Sequence, residues 1–207
     1  MSILWPAPQL FFAVVEPDAV VLDIAADRYE CLSQAADWLQ VLEDRSLQVA
    51  DASMGQALVD AGLAAQSPPP RPLKSVAPPD AELDPAAGGA LAAIMRAGVS
   101  QAASGLRFRR LDLAELTAPL EVRPERGLSA GDVAAFKSAS AWIPFEGECL
   151  DRAYKLRRYL HALGVPVDWI FGVRTWPFAA HCWVQLGSQV VGDNLERVRR
   201  YTPIAAF

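Results

Sequence analysis

The chain has 207 residues, 52% of them hydrophobic and 21% charged, with a net charge of −5. That length buries one large core or two small ones, and the composition excludes a disordered chain. No apolar run approaches the roughly 20 residues needed to cross a bilayer, so no membrane association is expected. The N-terminus has neither the cationic start nor the small-residue cleavage site of a secretory signal, and a cytoplasmic location is expected. The three cysteines, Cys31, Cys149 and Cys182, are too few and too odd a set for a disulfide scaffold. Neither C-x-x-C nor H-E-x-x-H occurs, and no metal or other cofactor is expected. Histidine chemistry has two candidates, His161 and His181.

Charge divides the chain. Residues 1–66 carry a balance of −8 and residues 67–207 one of +3, which suggests two modules with different partners. The composition shift between them is "SPPPRPLKSVAPPD", Ser67 to Asp80, with six prolines. Proline fixes φ and removes backbone donors, so residues 67–84 are expected to be an extended linker.

The first module opens with three strand-like runs, Leu10–Val15, Val20–Ile24 and Arg28–Leu32, joined by "EPDA" and "AAD" at hairpin length. Ser33 is placed to cap a helix carrying Ala35, Trp38, Leu39 and Leu42 on one face. Asp51 can cap a second helix with Met54, Ala57, Leu58 and Ala61 on one side, stopped by Gly62-Leu63. A three-stranded meander followed by helices predicts a small winged-helix-like module over residues 1–66. The acidic balance argues against nucleic acid as its partner.

"VVLDIAADRYECL", followed by a helix and "ALVDAGLAAQ", resembles the PqqD-like leader-recognition domains of ribosomal peptide biosynthesis. A structural or DNA-binding winged helix is the competing reading. The resemblance implies a leader peptide added as a strand at the edge of the third strand, Arg28, Tyr29, Glu30, Cys31 and Leu32. The facing helix would contribute Met54 and Leu58. This is β-augmentation, with affinity from main-chain hydrogen bonds and selection from side-chain pockets.

Past the linker, "DPAAGGALAAIMRAGV" reads as a helix capped by Asp84 with Pro85 at its first position. "SAGDVAAFKSASAWI" reads as another, capped by Ser129. The arginine-rich stretch between them is read as a solvated face, without chemistry. The next helix places Cys149, Ala153, Leu156, Leu160 and Leu163 on one apolar stripe, with Arg152, Lys155, Arg157 and Arg158 mostly off it.

Cys149 is therefore either a small core residue or a nucleophile. Its place in the first helical turn, where N–H groups lack partners and the dipole is positive, favours a thiolate; Glu146 and Glu148 oppose it. His161 lies about 18 Å further along the same helix, too far to serve it. Strand alternation instead puts His181, Trp183 and Gln185 on one face of "AHCWVQL" and Cys182 in the core on the other. A three-residue turn at Gly187–Gln189 would set Asp193 on His181's face; a two-residue turn would put it on the wrong side.

A nucleophile at a helix start, then histidine and acid on adjacent strands, is the papain and transglutaminase arrangement. "CLDRAYKLRRYLHALGVPVDWIFGV", "FAAHCWVQLGSQVVGD" and "VRRYTPI" resemble the transglutaminase-like leader peptidases of lasso-peptide biosynthesis, the B proteins. The family's nucleophile, base and orienting acid fall on Cys149, His181 and Asp193. Departures are Cys182 for the usual alanine, Gln185 for glutamate, which could alter the substrate groove, and Ala153 for serine.

The resemblance implies an α+β chain in which a leader-recognition module precedes a cysteine peptidase domain, residues 85–207. It would bind a precursor's leader and hydrolyse the leader–core amide, freeing the core amine for a separate ATP-dependent cyclase. The alternatives are a non-catalytic leader-binding protein and a thiol acyltransferase of transglutaminase type. The backbone N–H of Cys149 is the natural first oxyanion donor, and Trp142 or a neighbour in "WIPFEGE" a candidate second.

Overall fold

The computed structural model describes residues 2–121, 124–142 and 149–207. Chain contacts divide it into two compact units. The first holds the chain up to Val76 with Phe171–Ala180 and Tyr201–Ala206; the second holds Ala77–Ile170 and His181–Arg200, with Phe207.

In the first unit, β1 (Ser2–Pro6), which the sequence reading missed, precedes the expected meander of β2 (Leu10–Val15), β3 (Asp18–Asp23) and β4 (Arg28–Leu32). The meander forms a sheet in the order β2-β3-β4, with Val15 opposite Asp18 and Ala19 opposite Leu32. The helix expected after Ser33 is absent. Gln34 adopts φ 57°, a single 3₁₀ turn spans Ala35–Asp37, and the chain then extends as β5 (Leu39–Val41). Of the apolar positions that suggested a helix, only Leu39 lies in this strand, where it alternates with Val41 toward the core.

β5 pairs with β6 (Leu47–Val49), and with β1 and β7 (Ala64–Ala65) they make a second sheet, β5-β6-β1-β7. The Asp51 cap forms as read: its carboxylate accepts the Ser53 N–H at 2.7 Å and starts α1 (Ala52–Asp60). The stop is a Schellman ending, with Gly62 at φ 71°, its N–H on the Val59 carbonyl and the Leu63 N–H on that of Leu58. Leu4, Leu10, Phe12, Val21, Leu39 and Leu58 belong to one buried cluster that joins both sheets and α1. This unit thus has one α-helix where the winged-helix expectation required a pair.

The second unit starts inside the proline-rich stretch, at Ala77, and its first strand, β8 (Ala81–Leu83), lies within the expected linker. The helix expected from Asp84 starts later: α2 is Leu91–Phe108, because Gly88-Gly89 interrupts it and Gly89 takes φ 119°. Asp84 instead accepts Lys137 Nζ at 2.9 Å. α3 (Leu113–Thr117) carries an Asp112/Glu115 capping box, and α4 (Ala130–Ser140) is capped by Ser129 as expected. The remainder of "WIPFEGE", residues 143–148, lies outside the described residues, Glu146 and Glu148 included.

Next come α5 (Cys149–Ala162), β9 (Asp168–Arg174), β10 (Ala179–Leu186), β11 (Gln189–Val191), α6 (Leu195–Val198) and β12 (Thr202–Ala206). The sheet order is β12-β9-β10-β11-β8, with β8 parallel to β11. α2 packs on α4 and α5 through Ala97, Gln101 and Ser104, with Gln101 Nε2 donating to the Phe136 carbonyl at 2.9 Å. α5 is buried almost all round. Lys155 and Arg157, expected off its stripe, are 9% and 4% exposed. Lys155 pairs with Asp151 at 2.6 Å, and Arg157 lies over the Trp169 ring at 5.8 Å. Among the described residues no helix is long and apolar enough to cross a membrane.

Candidate active site

Cys149 opens α5, where its sulfur meets β10. His181 and Cys182 line the same cavity as this sulfur and both act on its charge. His181 Nε2 donates to Asp193 Oδ2 at 2.7 Å, which leaves Nδ1 for the thiol. The acid is held in turn by the Asn194 N–H at 2.7 Å and by Arg197 Nη1 at 3.3 Å. Cys149, His181, Cys182, Trp183, Asp193 and Arg197 line one cavity of about 150 Å³. Trp183 stacks beside the imidazole with ring centroids 6.2 Å apart.

The route by which Asp193 reaches the histidine differs from the expected one. Leu186 pairs with Gln189 and Val184 with Val191, so the turn is the two-residue one that alternation makes unfavourable. The ladder stops at Val191, and Gly192 takes φ 70°, which ends the two-sided alternation and redirects Asp193. A side chain at 192 would place Cβ 2.8 Å from Leu156 Cδ2. The Gly192 N–H bonds the Leu83 carbonyl at 2.9 Å, and its own carbonyl accepts Arg152 Nη2 at 2.7 Å. Sequence reading missed these positioning groups, although the Cys-Leu-x-Arg pattern already contained Arg152.

The electrostatics follow from the geometry. The Cys182 thiol, the His181 ring and the Cys182 N–H lower the Cys149 pKa to about 4 against the opposing effect of burial. Burial pulls His181 down, but Asp193 and Cys149 outweigh it and raise its pKa to about 9. Burial likewise pushes Asp193 up, and the His181 and Asn194 hydrogen bonds bring it below the ordinary carboxylate value. At neutral pH the site holds a thiolate beside an imidazolium. Cys182 is displaced in the opposite direction: the adjacent Cys149 and burial keep it a thiol.

Other candidates lie elsewhere. Gln185, expected to affect the groove, is 1% exposed and internally satisfied: it accepts Trp183 Nε1 at 2.9 Å and donates to the Ala77 carbonyl at 2.8 Å. His161 lines a separate cavity with Arg107, Arg158 and Tyr154. Trp142 is 85% exposed. In the first unit, β4 ends its sheet, with Arg28 and Cys31 exposed and Tyr29 against the Phe178 ring at 5.5 Å. Met54 is exposed, whereas Leu58 is buried in the core and faces no groove. α1 packs on β1, β6 and β7, a different sheet from that of β4.

Comparison with known proteins gives a partial relative and a family. Over 49 residues the chain is 41% identical to the microcin J25-processing protein McjB of Escherichia coli, a stretch covering 24% of each chain. The chain thus matches about a quarter of that relative's length. No solved structure matches it. The profile of the transglutaminase-like superfamily matches residues 91–206. Both matches support the resemblance to the lasso-peptide B proteins. The profile spans more than half of the chain and includes Cys149, His181 and Asp193, and this chain belongs to the transglutaminase-like superfamily.

Proposed function

We propose that this chain is a cysteine peptidase that binds the leader of a ribosomally made lasso precursor and hydrolyses the leader–core amide. The observation that carries the reading is the convergence of Cys149 and the hydrogen-bonded pair His181–Asp193 on one cavity. The Cys149 thiolate attacks the scissile carbonyl and the His181 imidazolium gives its proton to the leaving amine. Neutral His181 then takes a proton from the water that opens the thioester. Asp193 holds the ring's tautomer and supports its charge. The N–H groups of Cys149 and Cys182 flank the reacting sulfur, and the first is the donor best placed for the oxyanion. The released core amine would pass to a separate ATP-dependent cyclase. That McjB is named for processing microcin J25 supports a peptide substrate.

Leader capture is assigned to the β4 edge, Arg28–Leu32, with Met54 exposed on α1 and Leu58 left to the core. Cys149→Ala abolishes leader removal, followed by mass spectrometry, while leader binding persists. Cleavage surviving in that variant overturns the peptidase reading. An amide product formed with added amine assigns acyl transfer instead. Proline scanning of Tyr29, Glu30 and Cys31 tests the edge, because successive N–H groups point to opposite sides of a strand. Substitution at the outward positions keeps the fold by circular dichroism and loses leader affinity; affinity unchanged at all three positions refutes the edge.

A further inference from the structure

The proposed hydrolysis uses the backbone of Cys182 and leaves its thiol without a task. That thiol is 4% exposed, lines the same cavity as Cys149 and is acted on by its charge. We propose that Cys149 and Cys182 form an oxidation site, in which a peroxide oxidises Cys149 and Cys182 closes the product into a disulfide. The inference rests on Cys149 ionising and does not require it to be a peptidase nucleophile.

The first step joins the Cys149 thiolate to one peroxide oxygen. The O–O bond breaks, sulfur loses two electrons, and hydroxide leaves, giving a sulfenic acid. In the second step the Cys182 sulfur attacks the Cys149 sulfur. The S–S bond forms as S–O breaks, and the departing hydroxide takes the Cys182 proton as water. A dithiol reductant returns both cysteines to thiols by exchange.

Three features divide the roles. Cys149 is half-buried at a helix start and open to a cavity of about 150 Å³, room for a peroxide. Cys182 is buried, so an oxidant in solution meets Cys149 first. The thiolate of Cys149 is also the leading reason Cys182 stays protonated; once Cys149 is a neutral sulfenic acid that restraint disappears. Two cysteines lining one cavity of about 150 Å³ need only a short approach to the disulfide length of about 2 Å. Cys31, exposed on β4 in the first unit, lies outside this cavity. The disulfide keeps Cys149 from the irreversible sulfinic state.

The test treats the full-length protein with equimolar hydrogen peroxide and maps its peptides without reductant. The expected result is a loss of about 2 Da, a linked peptide pair containing Cys149 and Cys182, and full reversal by dithiothreitol. Cys182→Ala, given at least two equivalents of peroxide, should instead gain about 32 Da at Cys149, one oxygen from each equivalent, unaffected by dithiothreitol. Sulfinic acid at Cys149 of the wild type without a linked pair overturns the proposal. So does a linked pair containing Cys31, or an unmodified chain. The wild-type map decides even if the variant does not fold, and a cleavage assay on unoxidised protein tests the peptidase reading separately.

Discussion

His181 and Cys149 define the pH behaviour of the site. His181 is raised from 6.5 to about 9, so its stabilisation is complete below 6.5 and is lost as pH rises through about 9. Cys149 is lowered from 9.0 to about 4, so its stabilisation is complete above 9.0 and is lost as pH falls through about 4. The ion pair needs both charges and exists between those limits. Leader cleavage should follow a bell with limbs near pH 4 and 9, belonging to the pair as a whole. In His181→Ala, iodoacetamide labelling of Cys149 should require a distinctly higher pH; an unmoved labelling profile would show that the histidine does not set the thiolate. Asp193→Asn should lower kcat by about 10²- to 10⁴-fold with little change in leader affinity. Gly192→Ala meets both a φ of 70° and the Leu156 side chain. It should cost about 1–3 kcal/mol in urea unfolding and reduce cleavage in the protein that remains folded.

At the scale of elements, α2 has its apolar residues on the outside. Leu91, Met95, Val99 and Leu106 follow one helical face and are 72%, 63%, 72% and 60% exposed, while Gln101 and Ser104 are buried. Replacing Met95 and Val99 by Glu should therefore leave the melting temperature nearly unchanged and raise solubility; a large fall in melting temperature would show that the face is packed. β8 is the converse, an element hidden in proline-rich sequence. Three residues pair with β11 and the Leu83 carbonyl holds Gly192, so the β8 amides that point to β11 should resist hydrogen exchange far longer than those of 73–76. The sequence could not show this. Its prolines read as linker, and the pairing partner lies more than a hundred residues further on.

Across the whole molecule, what could be read locally was read. The meander β2-β3-β4, the caps at Asp51 and Ser129 and the Gly62 stop rest on adjacent residues, and the structure has them. Helix or strand after Ser33 could not be decided locally, because Ala35, Trp38, Leu39 and Leu42 fit a helical period while Leu39 and Val41 fit a strand, and pairing with β6 decides between them. The burial of Lys155 and Arg157 depends on Asp151 and Trp169 and defeats a pattern that places charge outside. His181 and Asp193 do meet, but through one left-handed glycine instead of the hairpin register, a detail that strand alternation cannot encode.

The bond from Arg152 to the Gly192 carbonyl has a mechanical consequence. Arg152 lies one turn beyond Cys149 on α5, and Gly192 immediately precedes Asp193. One tether therefore fixes the span between nucleophile and acid, and a shift of α5 along its axis carries both ends together. In the proposed mechanism the imidazole, mounted on β10 and bonded to Asp193, would pass its proton against a frame held at both ends.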